Sequence, residues 1–136
     1  MENKKTVFWL KLSFLLGMVT DALALLPMLF PPLAKIFWGF DNFSGIYYFA
    51  MGFGASLMLA WIILLYWAYR KPLERRFIAP LTGLIIICFV ITEIMAAGNN
   101  YIQWSKVIPS FVLQAVLLIL FNYSLIISGN RKTIKD

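Results

Sequence analysis

The chain has 136 residues, of which 62% are hydrophobic and 13% are charged, and it contains no histidine. Soluble globular domains carry about a quarter charged residues, so this composition excludes a soluble domain and indicates an integral membrane protein. The net charge of +6 does not indicate nucleic acid, because the basic residues cluster at the ends of apolar segments. There they set membrane topology and attract lipid headgroups, so we predict membrane lipids and no nucleic acid as partners.

Four apolar segments, in chain order residues 7–30, 47–69, 77–97 and 108–127, are the predicted membrane spans. Each is long enough to cross a hydrocarbon core of about 30 Å at about 1.5 Å per residue. Because the connecting segments are short, consecutive spans are expected to be antiparallel neighbours in an up-and-down bundle. The predicted fold class is therefore an all-α integral membrane protein, with one four-helix transmembrane domain over residues 1–136.

Residues 31–46, between the first and second spans, are too apolar for a solvated loop. Pro31 and Pro32 end the first helix, and the segment is expected to form a short amphipathic turn that lies in the outer interface or covers the bundle as a lid. Trp61 and Cys88 lie well inside the second and third spans, and we interpret both as packing residues. With a single cysteine, the chain cannot form an intramolecular disulfide.

Ten of the twelve cations are expected on one side of the membrane. They are Lys4, Lys5, Lys11, Arg70, Lys71, Arg75, Arg76, Arg131, Lys132 and Lys135. Only Lys35 and Lys106 fall in the two opposite loops. By the positive-inside rule, both termini are predicted to be cytoplasmic, in a multi-pass protein of the plasma (inner) membrane.

Two carboxylates, Asp21 in the first span and Glu93 in the third, interrupt otherwise apolar sequence, and each follows a threonine, Thr20 or Thr92. An ionisable side chain inside a span is costly and marks a functional site by default. The two threonine–acid pairs occupy matching places in two predicted helical hairpins, which indicates a duplicated hairpin.

The two acids are predicted to share a depth in the membrane with polar residues of the other two spans. Counted from the cytoplasmic ends, Asp21 lies about 21 Å and Glu93 about 24 Å along their helices. Gln114 of the fourth span lies at nearly the same level, and Ser56 of the second lies close to it. We call these four residues the polar layer, and we predict that they bind a ligand together with Thr20 and Thr92.

The chemistry of the polar layer is rich in oxygen and lacks a basic partner. No lysine, arginine or histidine lies within the spans at this depth, so the two carboxyls have no fixed counter-charge. Such a site suits protons, alkali cations, or amines and hydroxyls on a lipophilic ligand, and it disfavours anions. We predict no cofactor and no metal centre.

Small residues at helical spacing predict where helices pack closely. In the first span these are Gly17 and Ala24, on the side that carries Asp21. In the second span they are Gly52 and Ala60, at four-residue steps with Ser56 between them.

The layout resembles that of small prokaryotic four-span membrane proteins of the DoxX-like kind. The resemblance rests on four spans with both ends inside, on the acids in the first and third helices, and on the exit Trp67-Ala68-Tyr69-Arg70-Lys71-Pro72 from the second. The chain is also similar to the EXPERA group of sterol isomerases in span number and in having buried acids. Those isomerases imply a lipophilic cavity, but the absence of histidine here means that their acid–base chemistry would have to use Asp21 and Glu93 alone.

Three functions are compatible with these features. The first is a protein that binds or transports a lipophilic or cationic small molecule at the polar layer. The second is a structural or assembly subunit, in a homo-oligomer or with a membrane partner, in which the acids are interhelical contacts. The third is an isomerase-like enzyme acting on a membrane lipid through a carboxyl dyad. The sequence leans against an enzyme, because no histidine or cysteine partner completes the dyad.

Overall fold

A computed structural model describes residues 2–129 of the chain, and this part is helical and contains no strand. Its helices are α1 (Glu2–Leu29), α2 (Pro31–Trp38), α3 (Gly45–Arg70), α4 (Ile78–Gly98) and α5 (Trp104–Gly129). The four longer ones, α1, α3, α4 and α5, are long and apolar enough to cross a membrane. The prediction of an all-helical chain with four apolar helices is confirmed. The predicted basic tail, Arg131, Lys132 and Lys135, lies outside the described residues.

Each of these four helices extends beyond its predicted span at one end or at both, because apolar sequence marks the part suited to hydrocarbon and a helix continues until it is capped. At the start of α3, the Ser44 side chain accepts a hydrogen bond of 3.3 Å from the backbone N–H of Tyr47. Pro27 lies inside α1 and does not end it. Since proline has no N–H, the carbonyl of Leu23 lacks its usual helical donor.

The predicted turn after the first span is the short helix α2. Two prolines occupy its first positions, and Gly39, with a left-handed φ of 76°, ends it. Ala34 is buried against the bundle, and Lys106 Nζ at the start of α5 donates 2.9 Å to the carbonyl of Ile36. Because α2 contacts both α1 and α5, it lies across these two helices instead of forming a free loop.

The spanning helices pack in the order α3, α1, α5, α4. Within the described residues α1 packs on α3 and on α5, and α4 packs chiefly on α5. The expectation that consecutive spans are neighbours therefore holds for α1 with α3 and for α4 with α5. It is wrong for α3 with α4, which share no comparable interface. The physical reason is that α1 lies between α3 and α5, where the small residue Gly17 lets Leu65 and Phe121 both approach its backbone.

The buried core lies toward the end of the bundle where α3 ends and α4 begins. All four spanning helices contribute to it: Leu10, Phe14, Leu65, Ala68, Ile78, Ala79, Ile86, Leu117 and Phe121. At this end Arg76 donates 2.9 Å to the carbonyl of Ser128. Arg75 stacks 3.6 Å over the ring of Trp67 and donates to its carbonyl oxygen. We call this the basic end, and its arginines hold the ends of α3 and α5.

Candidate functional site

One glycine from each helix allows α1 and α3 to pack closely against each other. A Cβ on Gly17 would lie 3.4 Å from Leu65 Cδ1, and a Cβ on Gly54 would lie 2.8 Å from Met28 Cε. Met28 is eleven positions after Gly17 on α1, and Leu65 is eleven positions after Gly54 on α3. The two contacts therefore agree and fix the register of the pair. Asp21 lies four residues beyond Gly17, and Trp61 four residues before Leu65. The two side chains therefore lie at the same level.

Both helices carry this contact at alternating steps of three and four residues, as in coiled-coil packing. On α1 the positions are Leu10, Phe14, Gly17, Asp21, Ala24 and Met28, and on α3 they are Gly54, Met58, Trp61, Leu65 and Ala68. Leu10 has no counterpart, because α3 ends at Arg70; at the other levels a large residue of one helix stands opposite a small one of the other, with one exception. The exception pairs Asp21 with Trp61, and it is the one polar level of this contact.

The carboxylate of Glu93 is held between α4 and α5. Ser110 Oγ donates 2.7 Å to Glu93 Oε1, and Gln114 Nε2 donates 3.1 Å to Glu93 Oε2. Gln114 Nε2 also donates 3.1 Å to Ser110 Oγ. Each carboxylate oxygen of Glu93 thus has a donor, and these bonds tie α4 to α5.

The contacts between α1 and α5 place the two acids in one layer. Ser13 Oγ donates 3.2 Å to the carbonyl of Leu120, and the rings of Phe14 and Phe121 lie 5.9 Å apart. Seven or eight residues forward along α1 from these contacts lead to Asp21. The same number of residues back along α5 leads to residues 112–114, which include Gln114, so these residues lie level with Asp21. Asp21 lies on α1 and Glu93 lies on α4. Both helices pack on α5 and share no comparable interface with each other, so the two acids lie on different neighbours of α5.

Three groups at this level of the bundle have no hydrogen-bond partner among the described residues. The Nε1 atom of Trp61 and the Oε1 atom of Gln114 are buried and unpartnered. The carboxyl of Asp21, which is partly buried, makes no hydrogen bond or ion pair within the described part of the chain. A polar group without a partner in hydrocarbon costs roughly a few kcal/mol. A hydrogen-bond partner from outside the chain would lower this cost.

The remaining residues predicted for the site do not join this network. Ser56 is exposed and donates 2.9 Å to the carbonyl of Gly52, while Thr92 is exposed and donates 2.9 Å to that of Cys88. Such bonds to the preceding turn satisfy a hydroxyl within its own helix. Thr20 is partly buried on α1. Neither Ser56 nor Thr92 therefore has a hydrogen bond to either acid, and Ser56 lies five residues along α3 from Trp61, away from the level of Asp21.

The predicted packing stripe of α3 lies on its outward side. Gly52 and Ala60 are exposed, and a Cβ on Gly52 would meet no atom within 4 Å. The prediction that these two residues pack against the bundle is wrong, because Trp61, Leu65 and Gly54 turn the opposite face of α3 toward α1. By contrast, Gly17 lies at the α1–α3 contact and Ala24 follows it on the same face.

Ser110 is the site residue that the sequence interpretation omitted. It lies one turn before Gln114 on α5, and this four-residue spacing is the signal that could have identified it. Trp61 was interpreted as a packing residue, and it does pack against the core. Its unpartnered N–H, however, depends on the register of α1 against α3, which the sequence of either helix does not give.

Two surface depressions lie at the basic end, and neither includes a residue of the polar layer. Among the described residues, no group of three or more histidine, cysteine, aspartate or glutamate side chains could hold a metal ion. Searches among protein-family models, curated proteins and solved structures give no match to this chain. The function must therefore be argued from the geometry of the polar layer.

Proposed function

We propose that this chain is an integral membrane protein that binds or transports a lipophilic or cationic small molecule at the polar layer. The observation that carries the proposal is the difference between the two acids. Both oxygens of Glu93 have donors from α5, whereas Asp21 has no partner among the described residues. An acid kept at this depth without a partner is unfavourable for the folded chain alone, and a ligand that offers a donor removes that cost.

The position of Asp21 favours a ligand that enters from the membrane. Its side chain is only partly buried, and exposed apolar residues such as Val19 and Leu23 surround it on α1. A molecule dissolved in the hydrocarbon can reach the carboxyl sideways, with its apolar body left in lipid and its polar group in the layer. This route suits a lipophilic molecule with one hydroxyl or amine better than a strongly hydrated ion.

The same proposal includes an orientation in the membrane. We place the basic end in the cytoplasm, because it carries Lys4, Lys5, Arg70 and Lys71, while Lys35 and Lys106 lie near the opposite end. In this arrangement the chain is an antiparallel up-and-down bundle of the plasma (inner) membrane with both termini cytoplasmic. Membership among the DoxX-like proteins stays a prediction.

Photoaffinity labelling in lipid nanodiscs tests the binding proposal. The probes are a long-chain alcohol and the matching long-chain amine, each with a diazirine in the chain. We expect labelled peptides from α1 and α3 near Asp21, and about tenfold weaker labelling in Asp21→Asn, which corresponds to about 1.4 kcal/mol. Asp41→Asn is the matched control, because Asp41 is an exposed acid that pairs with Lys35 outside the spans. Labelling that is spread over the outward helix faces and unchanged by Asp21→Asn would contradict the proposal.

A second candidate function is a subunit of a membrane assembly. It is favoured by the outward face of α3, the least buried of the four spanning helices, which presents Gly52, Ser56 and Ala60. Small residues four apart permit close contact between helices in lipid. A stable oligomer in nanodiscs would favour this function, and a monomer would favour ligand binding. The enzyme alternative has less support, because both oxygens of Glu93 already accept hydrogen bonds from α5, and Glu93 and Asp21 lie on different neighbours of α5.

A further inference from the structure

Trp61 adds a hydrogen-bond donor to a layer that otherwise offers acceptors. Its indole N–H is buried without a partner, and an indole can only donate. The register of α1 against α3 places Trp61 level with Asp21, on the face of α3 that packs toward α1. A ligand at Asp21 therefore meets a donor on the facing helix.

Two acceptors lie at the same level as this donor. One is the carboxyl of Asp21, and the other is Oε1 of Gln114, which is buried without a partner while the amide nitrogen is bonded to Glu93 and Ser110. A ligand that satisfies Trp61 and either of the two acceptors must both donate and accept hydrogen bonds. An alkali cation or an ammonium group offers nothing to the Trp61 N–H, and a deprotonated acid offers no donor to Asp21 or Gln114.

We propose that the ligand of this site is a lipophilic alcohol and that Trp61 is its specificity-determining residue. The hydroxyl oxygen accepts from Trp61 Nε1–H, and the hydroxyl proton is donated to Asp21 or to Oε1 of Gln114. A single hydroxyl does both at once, and its apolar body remains in the hydrocarbon. This inference rests on the proposed function, which it narrows from lipophilic or cationic molecules to alcohols.

Competition binding on the wild-type protein tests the need for a group that donates and accepts. The competitors against the photoactivatable alcohol are 1-dodecanol, its methyl ether and dodecylamine, with the chain kept constant. The methyl ether can accept from Trp61 but cannot donate to Asp21. We expect it to bind about tenfold more weakly than 1-dodecanol. Equal competition by ether and alcohol would overturn the inference, and this arm does not depend on how any variant folds.

The variant Trp61→Phe tests the donor while it keeps an aromatic ring in place. We expect 1-dodecanol to bind about fivefold more weakly to Trp61→Phe and dodecylamine to be unaffected. Trp104→Phe is the control, because Trp104 is exposed at the start of α5, away from the layer. Thermal unfolding of both variants shows whether the fold is kept. An equal loss for alcohol and amine would overturn the inference, since it would report packing and not a hydrogen bond.

The outcomes separate this inference from the function on which it rests. If binding depends on Asp21 but does not distinguish alcohol from ether or amine, the assignment of an alcohol is wrong and the binding function stands. If the binding of none of the three compounds depends on Asp21, the proposed function itself fails and the inference fails with it.

Discussion

The two helix pairs of this protein, α1 with α3 and α4 with α5, each carry an acid directly after a threonine, and the two acids have different surroundings. The first pair is closed by glycines opposite large apolar residues, and its acid faces no donor except an indole N–H at the same level. The second pair is joined by hydrogen bonds, and its acid is the acceptor at their centre. The comparison teaches that the partners of such an acid are supplied by the helix opposite, since in both pairs the acid follows a threonine in an apolar helix.

The largest expected effect on stability comes from adding a side chain at the glycine that lets α1 and α3 pack closely. Gly17→Leu adds a side chain where even a Cβ would lie 3.3 Å from Phe121 Cζ and 3.4 Å from Leu65 Cδ1. We expect a loss of about 1 to 3 kcal/mol in the free energy of unfolding, measured by denaturant titration in detergent. Gly83→Leu is the control in the second pair, where a Cβ would lie at an ordinary 3.9 Å from Leu118 Cδ2. An equal loss of stability at both positions would show that the two helix pairs do not differ in how tightly they pack at these glycines.

Removing each acid in turn tests the comparison directly. Glu93→Ala takes the acceptor from Ser110 and Gln114, and we expect a loss of about 0.6 to 1.7 kcal/mol in the free energy of unfolding. Asp21→Ala removes a carboxyl without a partner, so we expect no loss of stability, together with loss of labelling by the alcohol and amine probes. The same detergent titration and the photoaffinity assay measure the two effects. A large loss of stability in Asp21→Ala would show that this acid is an interhelical contact after all.

The smallest effect is expected on the outward face of α3. Gly52→Leu places a side chain where a Cβ would meet no atom within 4 Å, so the stability of a single chain should be unchanged. Light scattering on the purified protein measures the oligomeric state, with Gly98→Leu as the control at another open glycine. Dissociation of an oligomer by Gly52→Leu alone would favour the assembly function. A monomer in all three proteins would remove the main support for it.

The four apolar helices and the common level of the acids were predictable because they depend on apolar length and on the rise per residue. The four spans follow from composition alone, and the common level of Asp21 and Gln114 follows from counting along the helices. What could not be predicted is which helix faces which. The four-residue spacing of Gly52, Ser56 and Ala60 predicts a packing face equally well for a bundle and for a second chain, and only the register of α3 on α1 separates the two.

The packing order was likewise beyond the sequence. Short connections favour contact between α3 and α4, but α1 fills the place next to α5 because Gly17 admits Phe121 on one side and Leu65 on the other. As a result Asp21 and Glu93 share a layer and yet lie on different neighbours of α5. Periodicity within one helix contains no information on such long-range choices.

The side-chain amide of Gln114 is hydrogen-bonded at its nitrogen and unpartnered at its oxygen. Binding at the oxygen can therefore be coupled to the hydrogen bond with Glu93. The amide nitrogen donates to Glu93, and the amide oxygen lies unpartnered at the level of Asp21. A guest that binds the oxygen must polarise or turn the amide, and so it alters how firmly Glu93 is held. Removing the Glu93 carboxylate, as in Glu93→Ala, would then change the affinity for the guest. Glu93 and a guest at the open oxygen are in this way coupled through one intervening amide.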